Sequence, residues 1–217
     1  MTLSSLSAYS QVNTISDFFL KFNEKSINDK LFQSLHEDEI AYPSSEIRER
    51  LLAEKEIVIS DLEQYKLIIH DTKNAYIKIE YSNAAINVIY TYTFFKNSKG
   101  GKIFAVGVEP SNAVMNCEPF TLFYEYKNSW IDCTSKVLAN LKIEKFFAAA
   151  EVSKGKQAAG SDAKFKIELP RTGTSIKARI WPIKEEQLTS YSRFKALKVK
   201  PGIITMKWDK NSSMFIF

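Results

Sequence analysis

Hydrophobic positions along this chain change their period near residue 57, and that change divides the expected structure. From Ile15 to Glu56 the spacing is helical. Ser16 and Asp17 are placed to cap a helix that carries Phe18, Phe19 and Phe22 on one face. Pro43-Ser44-Ser45 starts a second helix, with Ser44 or Ser45 as its cap and Ile47, Leu51 and Leu52 at i, i+4 and i+5. Beyond Ile57 the period is two. Tyr76, Lys78 and Glu80 alternate with Ile77, Ile79 and Tyr81, as a half-buried strand requires. Further strands are predicted at Tyr65–His70, Ile86–Phe95, Lys102–Val108, Thr121–Tyr126 and Trp130–Thr134. Their turns hold Asn and Gly, which tolerate positive φ angles. The pattern is an antiparallel meander.

After the meander, Val137 to Ala150 has the spacing of one helix, with Val137, Leu138, Leu141 and Phe146 facing inward. Residues 151–163 are rich in Ser, Gly, Lys, Gln and Ala and read as a loop or linker. A smaller β-rich region follows at 164–217. Its strands are Phe165–Leu169, Ser175–Ile180, Ile203–Trp208 and Ser213–Phe217, with a short helix between Glu185 and Leu197. The expected fold class is α+β: N-terminal helices packed on an antiparallel sheet (12–150), then the smaller region packed against it. Two hairpins echo each other at Lys127-Asn128-Ser129 and Lys210-Asn211-Ser212, flanked by aromatic strands. The echo has two readings, an internal duplication or simply a good hairpin tripeptide.

Residues 1–11 end in Ala8-Tyr9-Ser10 before Gln11, small residues at the −3 and −1 positions of a signal-peptidase cut. The segment resembles the ends of signal peptides in secreted Bacteroidetes proteins; a disordered N-terminus is the alternative. Further along, Ser16-Asp17-Phe18-Phe19, Phe123-Tyr124…Trp130 and Ile204…Trp208-Asp209-Lys210…Phe215 resemble an uncharacterised family of secreted Bacteroidetes proteins, a domain of unknown function. The 151–163 segment departs from that pattern. The resemblance implies periplasm or cell surface and carries no site residue.

The chain is 217 residues long, with 45% hydrophobic and 25% charged residues, the proportions of a globular protein. No apolar run approaches the ~18 residues of a spanning helix. With two histidines and seven glycines, catalytic motifs are scarce. There is no Gly-x-Ser-x-Gly elbow and no phosphate loop. His36-Glu37-Asp38-Glu39 lacks the second histidine of a zinc helix and the central glycine of a calcium loop, and reads as a solvated acidic stretch. His70 beside Asp71 has the composition of an oriented general base, and the position of a turn-edge histidine. A turn centred on Asn128 pairs Cys133 with about Phe123. Cys117 is then ~20 Å away at ~3.3 Å per residue, beyond the ~7 Å of a disulfide, so two free thiols are expected, and a bridge only if the chain folds back near Pro119 or the register differs. The sequence calls for no cofactor or metal.

Charge is more informative. Residues 1–70 hold 7 basic and 12 acidic side chains, residues 71–141 hold 7 and 6, and residues 142–217 hold 16 and 7, for a net +5. In the basic region Lys177 and Arg179 alternate with Ile176, Ala178 and Ile180, giving one cationic and one apolar strand face. Trp181, Tyr191 and Trp208 are the candidate stacking platforms beside it. This face would either attract an acidic polymer or pair internally with the acidic N-terminal helices. The expected function is non-enzymatic binding of a partner protein or acidic polymer at the periplasm or cell surface. The alternatives are a hydrolase using two carboxylates in a cleft, and a nucleic-acid-binding module should the protein be intracellular.

Overall fold

The computed structural model describes residues 12–22, 25, 27–29, 42–84, 86–110, 118–160, 163–181 and 189–217. Residues 1–11, the His36–Glu39 stretch and Cys117 lie outside the described residues.

Helix α1 (Ile15–Lys21) begins with a reciprocal capping box: Thr14 accepts from the Asp17 amide, and the Asp17 carboxylate accepts from the Thr14 amide. The cap is thus one turn earlier than Ser16 or Asp17, with Asp17 as its third helical residue. Helix α2 (Ser45–Glu54) is capped by Ser44, whose hydroxyl accepts from the Ile47 amide, and it closes on Lys55 in the left-handed region. The buried Arg48 of α2 donates from Nη2 to the carbonyls of Leu20 and Phe22, tying the two helices together where α1 ends.

The meander is continuous. Strands β1 (Glu56–Ser60), β2 (Glu63–Asp71), β3 (Tyr76–Ser82), β4 (Asn87–Lys96), β5 (Lys102–Pro110), β6 (Phe120–Tyr126) and β7 (Trp130–Asp132) pair in sequence order, every pair antiparallel. Alternation sends Ile77, Ile79, Tyr81, Tyr90, Tyr92, Phe104 and Tyr124 into the core beneath α1, where Phe18, Phe19 and Phe22 meet them. The opposite face carries Phe95, Ile103, Ala105 and Phe123.

A second antiparallel sheet covers those four residues. It consists of β8 (Lys164–Glu168), β9 (Ser175–Trp181), β10 (Ile204–Asp209) and β11 (Met214–Ile216), in the order β11-β10-β9-β8. Ile176, Met206, Trp208 and Phe215 supply its side of the contact. The α+β reading therefore holds, with the smaller region packed on the larger. The Lys127 hairpin closes a seven-stranded sheet and the Lys210 hairpin a four-stranded one.

Two expectations for the connecting segment need correction. The stretch 137–150 is not one helix: α3 (Thr134–Val137) is a single turn, followed by 3-10 turns at Ile143–Phe146 and Ala149–Glu151. Val137 and Phe146 do face inward, but into different clusters, and Asn140 leaves the helical path to donate to the Phe215 carbonyl at 2.9 Å. Tertiary contacts override the local spacing here. The stretch 151–163 is not a loop either, because α4 (Val152–Ala159) occupies most of it. Gly155 sits against the Phe147 ring, where an added Cβ would lie 2.5 Å from ring atoms, and Ala158 and Ala159 are buried. The small residues that suggested a linker form a close-packing surface. Helix α5 (Thr189–Ala196) then contributes Phe194 to the same cluster as Ala178 and Ile180.

Candidate functional site

The four-stranded sheet is apolar toward the large sheet and cationic on its other side. Directly opposed residues on neighbouring strands share a face. The registers set Lys166 opposite Arg179, Lys164 opposite Trp181 and Glu168 opposite Lys177. On the next pair, Lys177 faces Thr205 and Ser175 faces Lys207. Lys164, Lys166, Lys177, Arg179 and Lys207 thus stand on one surface with Trp181, against Glu168 and, at its far end, Asp209.

At the β8 edge this surface bends onto the polar end of the large sheet. Leu169 approaches Gly107 so closely that a Cβ there would lie 3.3 Å from its Cδ1. Beside that contact is a cavity of about 170 Å³, lined among others by Tyr76, Lys78, Thr91, Glu109, Thr121 and Lys166. Lys166 is only 8% exposed. Its ammonium pairs with Glu109 and lies 5.9 Å from the centre of the Trp181 ring. Burial pulls the Lys166 ammonium down to about 8, Arg179 and Lys78 add to the shift, and Glu168 opposes it. Beside it the Nε of Arg179 is buried with no hydrogen-bond partner among the described residues. A buried donor without an acceptor costs about 1–3 kcal/mol, so this edge is held together at an energetic penalty.

Lys156 pairs with Glu144 within the connecting segment, and two further ion pairs end on the large sheet or its loops. Arg171 reaches Asp71 at 2.9 Å and Lys164 reaches Glu118 at 3.3 Å. Among the described residues no ion pair joins this face to α1 or α2, and neither Lys177 nor Arg179 has an acidic partner in one. Among the described residues, Lys177 and Arg179 are therefore not neutralised by α1 or α2.

Lys177, Arg179 and Trp181 are brought together as the strand alternation requires. Trp208 is not with them. It is 7% exposed, packed against Phe95 and Phe215, and its indole N–H donates to the Lys96 carbonyl at 2.7 Å, so no ring face is open for stacking. Tyr191 falls in α5, and its side chain lies outside the described residues. Lys166 and Glu109 were not singled out from the sequence. Lys166 shares the alternation of Phe165 and Ile167, which was the available signal, but its burial against Glu109 depends on how the sheets meet.

The other chemical candidates separate. His70 and Asp71 are consecutive strand residues and point to opposite faces. His70 Nε2 is 3.0 Å from the Ser16 hydroxyl beneath the helices, while Asp71 binds Asn74 and Arg171. The Cys133 amide donates to the Phe123 carbonyl at 2.8 Å, as the Asn128 turn predicts. Its thiol is free and half-buried, and burial, then Asp132 and Glu125, push it up to about 11, away from nucleophilic use at neutral pH. Among the described residues no group of three or more His, Cys, Asp or Glu gathers to hold a metal, and no helix is long and apolar enough to cross a membrane.

No family model matches the sequence, and no curated protein is significantly similar to it. Among solved structures the chain is similar to a domain of an uncharacterised protein from Porphyromonas gingivalis W83, with a TM-score of 0.53 and 12% identity, covering 93% of this chain and 96% of that one. At this identity the likeness is one of fold.

Proposed function

We propose that this is a non-enzymatic binding protein of the periplasm or cell surface that takes an acidic polymer on the outer face of its four-stranded sheet. One observation carries the reading: Lys177 and Arg179 share one strand face with Trp181, and among the described residues neither has an acidic partner in an ion pair. Lys177 is exposed and supplies a mobile point charge, whereas the Arg179 guanidinium offers a planar fork suited to carboxylate or sulfate. Trp181 adds an apolar plane against which a sugar ring can rest. The location rests on the Ala8-Tyr9-Ser10-Gln11 segment, which resembles the end of a secretory signal, and it favours acidic glycans over nucleic acid as the ligand.

The test is titration of the protein with alginate and, separately, with duplex DNA at two salt concentrations. Alginate binding that weakens with salt is expected, and Lys177→Glu combined with Arg179→Glu should lower it at least tenfold while leaving the melting temperature nearly unchanged. Equal binding by the double variant would overturn the assignment of this face. Tighter binding to DNA than to alginate would transfer the face to a nucleic-acid ligand.

A further inference from the structure

At the opposite end of β4 and β5 from the Lys166 cavity, three hairpin turns meet. Each carries the same tripeptide: Lys96-Asn97-Ser98, Lys127-Asn128-Ser129 and Lys210-Asn211-Ser212. The first and third are stitched together by the Ser98 amide, which donates to the Lys210 carbonyl at 2.9 Å. The indole bond from Trp208 to the Lys96 carbonyl holds the same pair of turns. Between these turns and α3 lies a cleft of about 500 Å³, within the ~300–1,000 Å³ typical of small-molecule sites.

The three turns use their shared residues differently, so the repetition is not explained by turn geometry. In the first, the Asn97 side chain accepts from the amides of Lys99 and Gly101. In the second, Asn128 itself takes the left-handed conformation at φ 63°. In the third, Asp209 accepts from the amides of Asn211 and Ser212, and Ser213 is left-handed at φ 55°. None of these schemes needs a lysine before the asparagine.

Four lysines line the cleft, Lys99, Lys127, Lys136 and Lys210, and a single carboxylate, Glu125, opposes them through its pair with Lys127 at 2.8 Å. Ser212 also lines the cleft, and its side chain bonds to the Asp209 carboxylate and holds that carboxyl below its ordinary value. No aromatic side chain lines the space, whose apolar floor is Ile103 and Val137. A cationic cleft whose rim is built from polar turns, with nothing for a flat ring to stack on, matches a small, hydroxyl-rich polyanion.

We propose that this cleft is a second binding site, independent of the outer sheet face, for a sugar unit bearing two sulfate or phosphate groups. Lys99, Lys136 and Lys210 meet the oxyanions.

The experiment is calorimetric titration of the whole protein with four probes: a disulfated disaccharide, the same disaccharide without sulfate, fructose 1,6-bisphosphate and sodium sulfate. Saturable binding of the disulfated sugar, the bisphosphate or both is expected. Whichever binds more tightly identifies sulfate or phosphate as the group preferred. Lys136→Glu with Lys210→Glu should weaken that binding at least tenfold. The Lys177→Glu, Arg179→Glu variant should leave it unchanged, which separates this site from the polymer face. Both cleft lysines are exposed, so thermal melting of the double variant should match the parent and confirm that it folds. Amide shifts on titration should centre on residues 97–101 and 209–213. Binding of neither disubstituted sugar, equal affinity for sodium sulfate, or undiminished binding by the lysine variant would each overturn the proposal.

Discussion

On the helix side of the seven-stranded sheet, Phe18 packs against the rings of Phe22, Phe104, Trp130 and Tyr92, at centroid distances of 5.3, 4.6, 5.4 and 6.0 Å. On the other side, the same strands place Phe95 and Phe123 under Trp208 and Phe215, yet further along they present Lys78, Thr91 and Glu109. The difference lies in what covers each face. Helix α1 lies along an almost wholly apolar surface, and the core beneath it runs from Tyr65 to Tyr124. The opposite face is covered by a sheet of only four strands, whose contact occupies its middle. Openings remain at both ends of β4 and β5, one lined by Lys78 and Lys166 with Glu109 and Glu168, the other by four lysines and Glu125. One face is continuously packed, and the other is packed only in part.

Breaking the helix face should have the largest effect. Phe18→Ala removes a fully buried ring and should cost about 4 kcal/mol in urea unfolding, while protein that remains folded keeps its affinity for alginate. A loss below ~1 kcal/mol would mean that this face is not the principal source of stability. On the other side of the molecule, Gly155→Ala forces a Cβ into the Phe147 ring, and an overpacking cost of about 1–3 kcal/mol is expected. Hydrogen exchange should speed up most in α4 and β9, whose residues share that cluster, and an even increase across the meander would contradict this division.

The smallest effect concerns acid stability at the seam between the sheets. Asp71 is held down to about 2, from an ordinary 3.8, by its hydrogen bonds to the Asn74 side chain and to Arg171. Its folded value lies below its unfolded one, so its contribution is complete above pH ~4 and is lost as the pH falls toward ~2. Asp71→Asn should flatten the stability profile of the protein across that window. Wild-type and variant profiles that stay parallel from pH 5 to 2 would show that the bond to Arg171 contributes nothing to acid sensitivity.

Particular residues show how much could be read in advance. The alternation at residues 76–81 places its side chains on the correct faces because a strand has one period and no freedom to choose another. Lys177, Arg179 and Trp181 could be assigned to one face for the same reason. Trp208 shows the limit. It obeys the alternation of β10, but whether its face is buried or open depends on a sheet contributed by residues about a hundred positions earlier. The segment 151–163 shows another limit. Glycine favours loops when exposed, whereas glycine and alanine together permit close helix packing when an aromatic such as Phe147 lies opposite.

The sequence by itself determined the α+β class, the antiparallel meander, the two faces of the strands at 76–81 and 175–180, and the concentration of positive charge in residues 142–217. These follow from local periodicity and counting, which depend on neighbours a few residues apart. Only the tertiary structure decided that Lys166 is buried against Glu109, that Trp208 belongs to the core, and that three Lys-Asn-Ser turns converge on one cleft. Those outcomes join β4–β6 to β8–β11, segments separated by up to 120 positions, as between Phe95 and Phe215. Such contacts form only when one sheet packs on another, because burial and electrostatic environment are properties of the assembled surfaces and not of any strand alone.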